Sequence, residues 1–294
     1  MKVAVIGANG QLGSDVVRAL TQQGDSVCSL THADLELSTF DSVADCLRSR
    51  ECDVVVNTAA MHHVENCEQQ PAKAYAVNAV GARNLATVSR ELGSVLIHVS
   101  TDYVFDGKKG EPYVEDDIPL PLNVYGNSKL AGEHFVRTLN PKHFVLRTSA
   151  LYGEHPCRAK GGQNFVELML RLARERGRVR VVNSEFISPT PTADLARQIA
   201  VLTRCDAYGL YHATAEGLCS WYEFAREIFA VTATDVGLDV ASPAEFPSKV
   251  PRPRYSVLEN RGLKTLGLNQ FEPWQVGLRK YVSQIPTASV VPAA

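Results

Sequence analysis

The sequence predicts an α/β fold, a doubly wound parallel sheet followed by a smaller C-terminal α/β domain. Three observations carry that expectation. A β-branched run, Lys2–Ile6, breaks into Gly7-Ala8-Asn9-Gly10-Gln11-Leu12-Gly13 and continues with helical spacing over Ser14–Thr21. Short apolar runs and helical stretches then alternate through the first half of the chain. One of those runs, Asp53–Asn57, holds an unbroken Val54-Val55-Val56, the composition of a strand covered on both faces.

In the first unit, Gly7 suits the tight turn, Gly10 lets a pyrophosphate approach the backbone, and Gly13 lets the helix pack on the strand. The phosphates would then sit at a helix N-terminus, where free N–H groups and the dipole favour anions. Gly24-Asp25 turns the chain into a second strand, Ser26–Leu30, which runs into Thr31 and His32 before the first acid, Asp34. An acid closing this strand would bind the ribose diol of NAD and repel a 2′-phosphate. Its displacement favours NADPH, with Thr31 and His32 as donors to the phosphate, and leaves NADH open.

Ser38-Thr39-Phe40-Asp41 can cap a helix over Ser42–Arg50. The third strand ends in Thr58-Ala59-Ala60, small residues that leave room for a flat cofactor. The following loop, His62 to Glu68, carries metal-ligand types, but its spacing matches no usual zinc pattern. No metal is expected, and His62 is assigned to the substrate side. Pro71–Leu92 reads as one long helix carrying Asn78 and Asn84, expected as satisfied structural groups. Val95–Ser100 is the next strand, with His98 packed inside it, and it delivers Thr101, Asp102 and Tyr103 to the sheet's carboxyl edge. Gly107–Leu122 is a loop.

Tyr125 and Lys129 follow, four residues apart on a helix and therefore on one face. A cation near a phenol favours the phenolate, so Lys129 is expected to lower the Tyr125 pKa and make it a proton donor near neutrality. His143–Arg147 is another strand. Beyond it come helices over Asn164–Arg176 and Thr192–Thr203, the latter capped by Thr192, with strands at Val179–Val182 and Gly209–Ala213. Ser220 to Glu223 is a capping box opening a helix to Phe229. Pro243–Pro253 is irregular, Glu272–Ile285 is the last helix and Thr287–Ala294 a loose tail.

At 45% hydrophobic content and a formal net charge of -2, the 294-residue chain can bury a full core and offers no charge run for nucleic acid or an anionic membrane. The apolar start is too short for a membrane span and lacks a secretion-signal layout. Seven cysteines, an odd number with no Cys-x-x-Cys pair, are expected as reduced thiols in the cytoplasm.

The succession GANGQLG, NTAA, STDYVFDG, PLNVYGNSK and LRTSALYG resembles the extended short-chain dehydrogenase/reductases, and within them the dTDP-4-dehydrorhamnose reductase family. The likeness runs nearly end to end, through FISPTPTADLARQI, GLYHATAEGLCSWYEFA, PRPRYSVLEN and WQVGLRKY. It implies a Rossmann domain over residues 1–153, joined by 186–214, and a substrate domain from 154–185 and 215–286. It implies Thr101, Tyr125 and Lys129 as the catalytic set, with Lys129 also on the nicotinamide ribose. Cofactor contacts fall on Gln11, Leu12, Asp34, Leu35, Ala59, Ala60 and Met61, and Asp102 lies at the substrate. The implied reaction is reduction at C4 of a nucleotide-linked 4-keto-6-deoxyhexose, dTDP-4-dehydro-L-rhamnose to dTDP-L-rhamnose, by a protein that could be a homodimer.

Two positions depart from the family pattern. Ala150 stands where members typically carry a tryptophan against the sugar, and Met61-His62-His63-Val64-Glu65 replaces a Tyr-Thr-x-Val-Asp type of loop. Both lie on the substrate side. Tyr103 after Asp102 removes the second acid that dehydratases of this fold use, so dehydration is disfavoured. A non-catalytic NADP-binding subunit, like the regulatory β-subunit of methionine adenosyltransferase, and a sugar-nucleotide epimerase remain as alternatives.

Overall fold

The computed structural model describes residues 1–157, 161–245 and 249–284. The expected tail and Ile285 lie outside the described residues. The first half runs β1 (Lys2–Ile6), α1 (Gln11–Gln22), β2 (Ser26–Leu30), α2 (Phe40–Arg48), β3 (Val54–Asn57), α3 (Val64–Gln69), α4 (Pro71–Tyr75), α5 (Gly81–Glu91), β4 (Val95–Thr101), α6 (Val124–Leu139) and β5 (His143–Thr148). The second half adds β6 (Leu151–Tyr152), α7 (Phe165–Arg176), β7 (Arg178–Val182), β8 (Phe186–Ile187), β9 (Thr190–Pro191), α8 (Thr192–Leu202) and β10 (Gly209–His212). It closes with β11 (Cys219–Ser220), α9 (Trp221–Val231), β12 (Gly237–Ala241), α10 (Arg261–Thr265) and α11 (Trp274–Gln284).

Six strands form one parallel sheet in the order β2-β1-β3-β4-β5-β10. The chain steps from β1 outward to β2, then returns past β1 to β3, so the order reverses between β1 and β3 and a crevice opens beyond their carboxyl ends. Ile6 is level with Leu30 and Asn57, and Thr101 with Thr148, which aligns the strand ends along one edge.

Alternate strand residues feed two cores. Val3, Val5, Val54, Val56 and Leu146 pack under Val16 and Leu20 of α1 and Leu195 and Ile199 of α8. Ala4, Ile6, Val55, Leu96 and Val145 pack under Val43 and Leu47 of α2, Leu85 and Val88 of α5, and Val136 of α6. A third core joins Val166 and Leu170 of α7, Phe224 and Ile228 of α9, and Trp274 and Leu278 of α11 beside the parallel pair β7–β12. Among the described residues, no helix is long and apolar enough to cross a membrane, and all seven cysteines are free thiols.

Several expectations about elements are corrected. The expected single helix from Pro71 is interrupted by a π turn, Ala76–Val80. There α6 comes so close that a Cβ on Gly132 would stand 2.3 Å from the Asn78 carbonyl oxygen. The segment expected as a loop before Pro71 contains α3, opened by His63, whose ring accepts from Asn66 N–H at 3.3 Å. The second helix starts at Phe40, and its N-cap, Thr39, makes no side-chain cap bond; Ser38 is bonded to Glu36 and Ser42 accepts from Glu36 N–H. Thr192 does not cap α8; its hydroxyl donates to buried Asp15 of α1. The capping box of Ser220 and Glu223 is present as expected.

Candidate functional site

At the crevice between β1 and β3 lies a cleft of about 980 Å³. One end is the β1–α1 turn. Gly7 adopts φ 77°, the left-handed region that favours glycine. A Cβ on Gly13 would lie 2.1 Å from the Gly7 carbonyl oxygen, so only glycine lets α1 start so close to β1. No side chain caps α1, and the amides of its first turn are left for a ligand. Gln11 turns its side chain away, donating to the carbonyls of Gly153 and His155 at 3.4 and 3.0 Å, so it offers its backbone instead.

Gly7, Gly10, Gln11, Leu12, Gly13, Thr31, His32, Leu35, Ala59 and Ala60 all line this cleft, as do His62, Thr101, Asp102, Tyr125, Lys129 and Ala150. Asp34 and Met61 do not. The Asp34 carboxylate folds back to accept from the Thr31 N–H and hydroxyl at 2.8 and 2.9 Å, bonds that hold it below the usual carboxylate range. Met61 is held by Asn78, which accepts from its N–H and donates to its carbonyl, each at 2.9 Å. Asn78 and Asn84 are both satisfied structural groups.

At the other end, α6 presents Tyr125 and Lys129. Asn123 caps the helix, accepting from Gly126 N–H at 2.9 Å. A Cβ on Gly126 would meet the Tyr103 carbonyl at 2.2 Å, so glycine allows the helix start to touch the turn that follows β4. Thr101 donates to Asp102 Oδ1 at 3.0 Å and accepts from Tyr103 N–H at 3.2 Å. Ser149 donates to Asp102 Oδ2 at 2.9 Å. Burial pushes the Asp102 carboxyl up, against the bonds from Ser256, Ser149 and Thr101.

The expected effect of Lys129 on Tyr125 is corrected. Burial pushes the Tyr125 hydroxyl above the ordinary phenol range, against a hydrogen bond with Thr101. The lysine instead donates to the Val99 carbonyl at 2.6 Å and lies 3.4 Å from His98 Nε2. Burial brings its own pKa down to about 8.

On the far wall, Ala150 holds φ 44°, an uncommon value for a residue with a Cβ. His62 faces Cys157, with Nε2 3.6 Å from Sγ. Sequence reasoning missed Arg252, which reaches the cleft and pairs with Glu65 of α3. It also missed Trp221 and Ser256 on this wall. An arginine in an irregular, proline-rich segment carries no periodic signal that would single it out.

A family model described as RmlD substrate binding domain matches residues 1–286. The chain is 39% identical to the spore coat polysaccharide biosynthesis protein SpsK of Bacillus subtilis, over 98% of this chain and 99% of that protein. It is 37% identical to a dTDP-4-keto-6-deoxy-D-glucose reductase of Streptomyces niveus, over 93% of this chain and 94% of that one. A dTDP-4-dehydrorhamnose reductase of Bacillus anthracis, solved in complex with NADP, superposes with a TM-score of 0.92 at 37% identity, covering 97% of this chain and 99% of that one.

Proposed function

The chain belongs to the dTDP-4-dehydrorhamnose reductase family, and on that premise we propose that it is an NADPH-dependent reductase of a nucleotide-linked 4-keto-6-deoxyhexose, with dTDP-4-dehydro-L-rhamnose as substrate. The observation that carries this reading is the meeting, in one cleft, of an uncapped helix N-terminus with the chain Tyr125–Thr101–Asp102. The first suits a dinucleotide and the second suits proton delivery to a carbonyl oxygen.

The fit to a dinucleotide rests on the glycine cradle, where side chains at Gly7 and Gly13 would fill the space between β1, β3 and α1. Gly10, the amides of Gln11 and Leu12, and Ala59 would hold the diphosphate side, with Thr31 and His32 near the adenosine ribose. NADPH supplies the hydride when bound. Tyr125 gives its proton to the substrate oxygen, and burial, which disfavours the phenolate, keeps that proton on the tyrosine until a developing alkoxide draws it off. Thr101 orients the phenol, and Asp102, tied to Ser149, fixes Thr101 in turn. Donors held in place before charge develops are where such a site gains its rate.

The test follows oxidation of NADPH and NADH with dTDP-4-dehydro-L-rhamnose, in wild type and Tyr125→Phe. Turnover by wild type with a loss of about 100-fold or more in the variant is expected. Equal rates in both would remove Tyr125 as the donor. The Streptomyces relative and the small Ala150 side chain favour a second substrate, dTDP-4-keto-6-deoxy-D-glucose, to be assayed alongside. The binding-subunit and epimerase alternatives are not favoured, and a chain that binds NADPH but oxidises it with neither sugar would revive the first.

A further inference from the structure

Beneath the cleft, Lys129 stands at the end of a buried chain of polar side chains. Ala59 N–H donates to Asn57 Oδ1 at 3.1 Å, which sets the direction of the Asn57 amide. Its Nδ2 is thereby aimed at His98 Nδ1, also at 3.1 Å. A neutral imidazole that accepts at Nδ1 carries its one proton on Nε2. That nitrogen lies 3.4 Å from Lys129 Nζ. An ammonium there sets N–H against N–H, whereas an amine has a lone pair to accept from Nε2–H. The other partner of Nζ, the Val99 carbonyl at 2.6 Å, accepts from either form.

We propose that Asn57 and His98 are positioning residues for Lys129: Asn57 locks His98 as the Nε2–H tautomer, and that N–H opposes the ammonium form of the lysine. All three side chains are buried, so the opposition acts at low dielectric. His98 is pushed well below the usual histidine range by burial and then by the Lys129 charge, which keeps it neutral. Lys129 is brought down by burial, against Glu133 one turn further along α6. Glu133 is itself gripped by Arg147 of β5. On the cleft side stand Asp102 and Tyr125, and Cys67 of α3 is a neutral thiol, pushed up to about 11. On the reductase reading above, on which this consequence rests, the lock places the alkaline limit of a step that needs the cation lower than an unopposed lysine would.

The experiment titrates [13Cε]lysine-labelled protein, free of cofactor and substrate, from about pH 6 to about pH 11 by NMR, with the Lys129 signal identified by its loss in Lys129→Met. Asn57→Asp still accepts from Ala59 N–H but also accepts from His98 Nδ1–H, turning Nε2 into an acceptor. It is expected to raise the Lys129 midpoint by about 1 pH unit or more. In a His98→Leu background the same change should move the midpoint by less than about half as much, since the imidazole is gone. An equal rise in both backgrounds would mean that the carboxylate's charge acts alone, and would overturn the lock, as would no rise at all. The 15N shifts of the wild-type imidazole decide independently of any variant's folding. Protonation at Nε2 supports the proposal, and protonation at Nδ1 overturns it. None of these readouts involves turnover, so a failed sugar assay would count against the reductase reading and leave this one standing.

Discussion

Arg147 grips Glu133 with two nitrogens, Nη2 at 2.7 Å and Nε at 3.0 Å, where the side chains are 2% and 1% exposed. Ser100 adds a hydroxyl to the same carboxylate, so β4, β5 and α6 are joined at one point directly under the helix that carries Tyr125 and Lys129. Removing one partner of a buried pair strands the other charge, which costs more than the pair contributes. Glu133→Gln is therefore expected to lower stability by about 3–5 kcal/mol in urea unfolding. The double change to Met at both positions should recover most of that loss. A single variant as stable as wild type would show that the pair does not anchor α6.

Lys129 allows a test with a definite sign. Its folded pKa of about 8 lies below the ordinary 10.5. The unfolded chain therefore binds the proton more tightly, and the lysine's contribution to stability is complete above the unfolded value and is lost as pH falls through that window. Relative to Lys129→Met, wild type should gain about 2 kcal/mol between pH ~7 and pH ~9.5. Parallel unfolding curves for the two proteins at both pH values would contradict the burial argument.

What could be read in the sequence was what local rules control. The β1–α1 turn was legible because the positive φ of Gly7 and the contact of Gly13 with Gly7 are local, and Tyr125 and Lys129 because one helix face brings them together. Relations across the fold were not. His98 was expected as a packed residue and is one, but its contact with Lys129 joins positions 31 apart, and the Arg252–Glu65 pair joins positions 187 apart. The expected lowering of the Tyr125 pKa gave way to burial, which depends on the whole fold. Helical spacing sets the face, while the Val99 carbonyl that accepts from Lys129 lies on another element, 30 positions earlier. The strand β12 carried no signal because its run Gly237-Leu238-Asp239-Val240-Ala241 has no unbroken apolar core, and its partner β7 lies about 60 positions earlier.

The glycines of the first turn can be ranked by what a methyl would strike. At Gly13 the nearest atoms are backbone, 2.1 Å to the Gly7 oxygen and 2.7 Å to its carbon, so either the turn or α1 must move. At Gly10 the nearest atom is 3.2 Å away. Gly13→Ala is expected to cost about 1–3 kcal/mol and most of the NADPH affinity, with Gly10→Ala milder in stability. Fluorescence titration with NADPH and thermal unfolding separate the two. If Gly13→Ala bound as tightly as Gly10→Ala, the close approach of α1 would not be what shapes the cradle.

His212 sets a limit on the acid side. At the end of β10 it is fully buried, and its Nδ1 donates to the Tyr113 carbonyl at 3.0 Å. The Phe105 ring makes a T-shaped contact with the imidazole and carries the Arg147 guanidinium over its face. Burial, then the Arg147 charge, brings the His212 pKa down to about 3 from an ordinary 6.5. A depressed folded pKa means that the unfolded chain takes the proton first. Stability is whole above pH 6.5 and falls away as pH drops toward 3. At pH ~5 the loss should be about 2 kcal/mol. His212→Asn keeps a donor toward Tyr113 but has no proton to gain, so its stability should change less between pH ~7 and pH ~5 than that of wild type by about that amount. Urea midpoints at the two pH values measure the difference, and an identical acid dependence in both proteins would assign the loss to other groups.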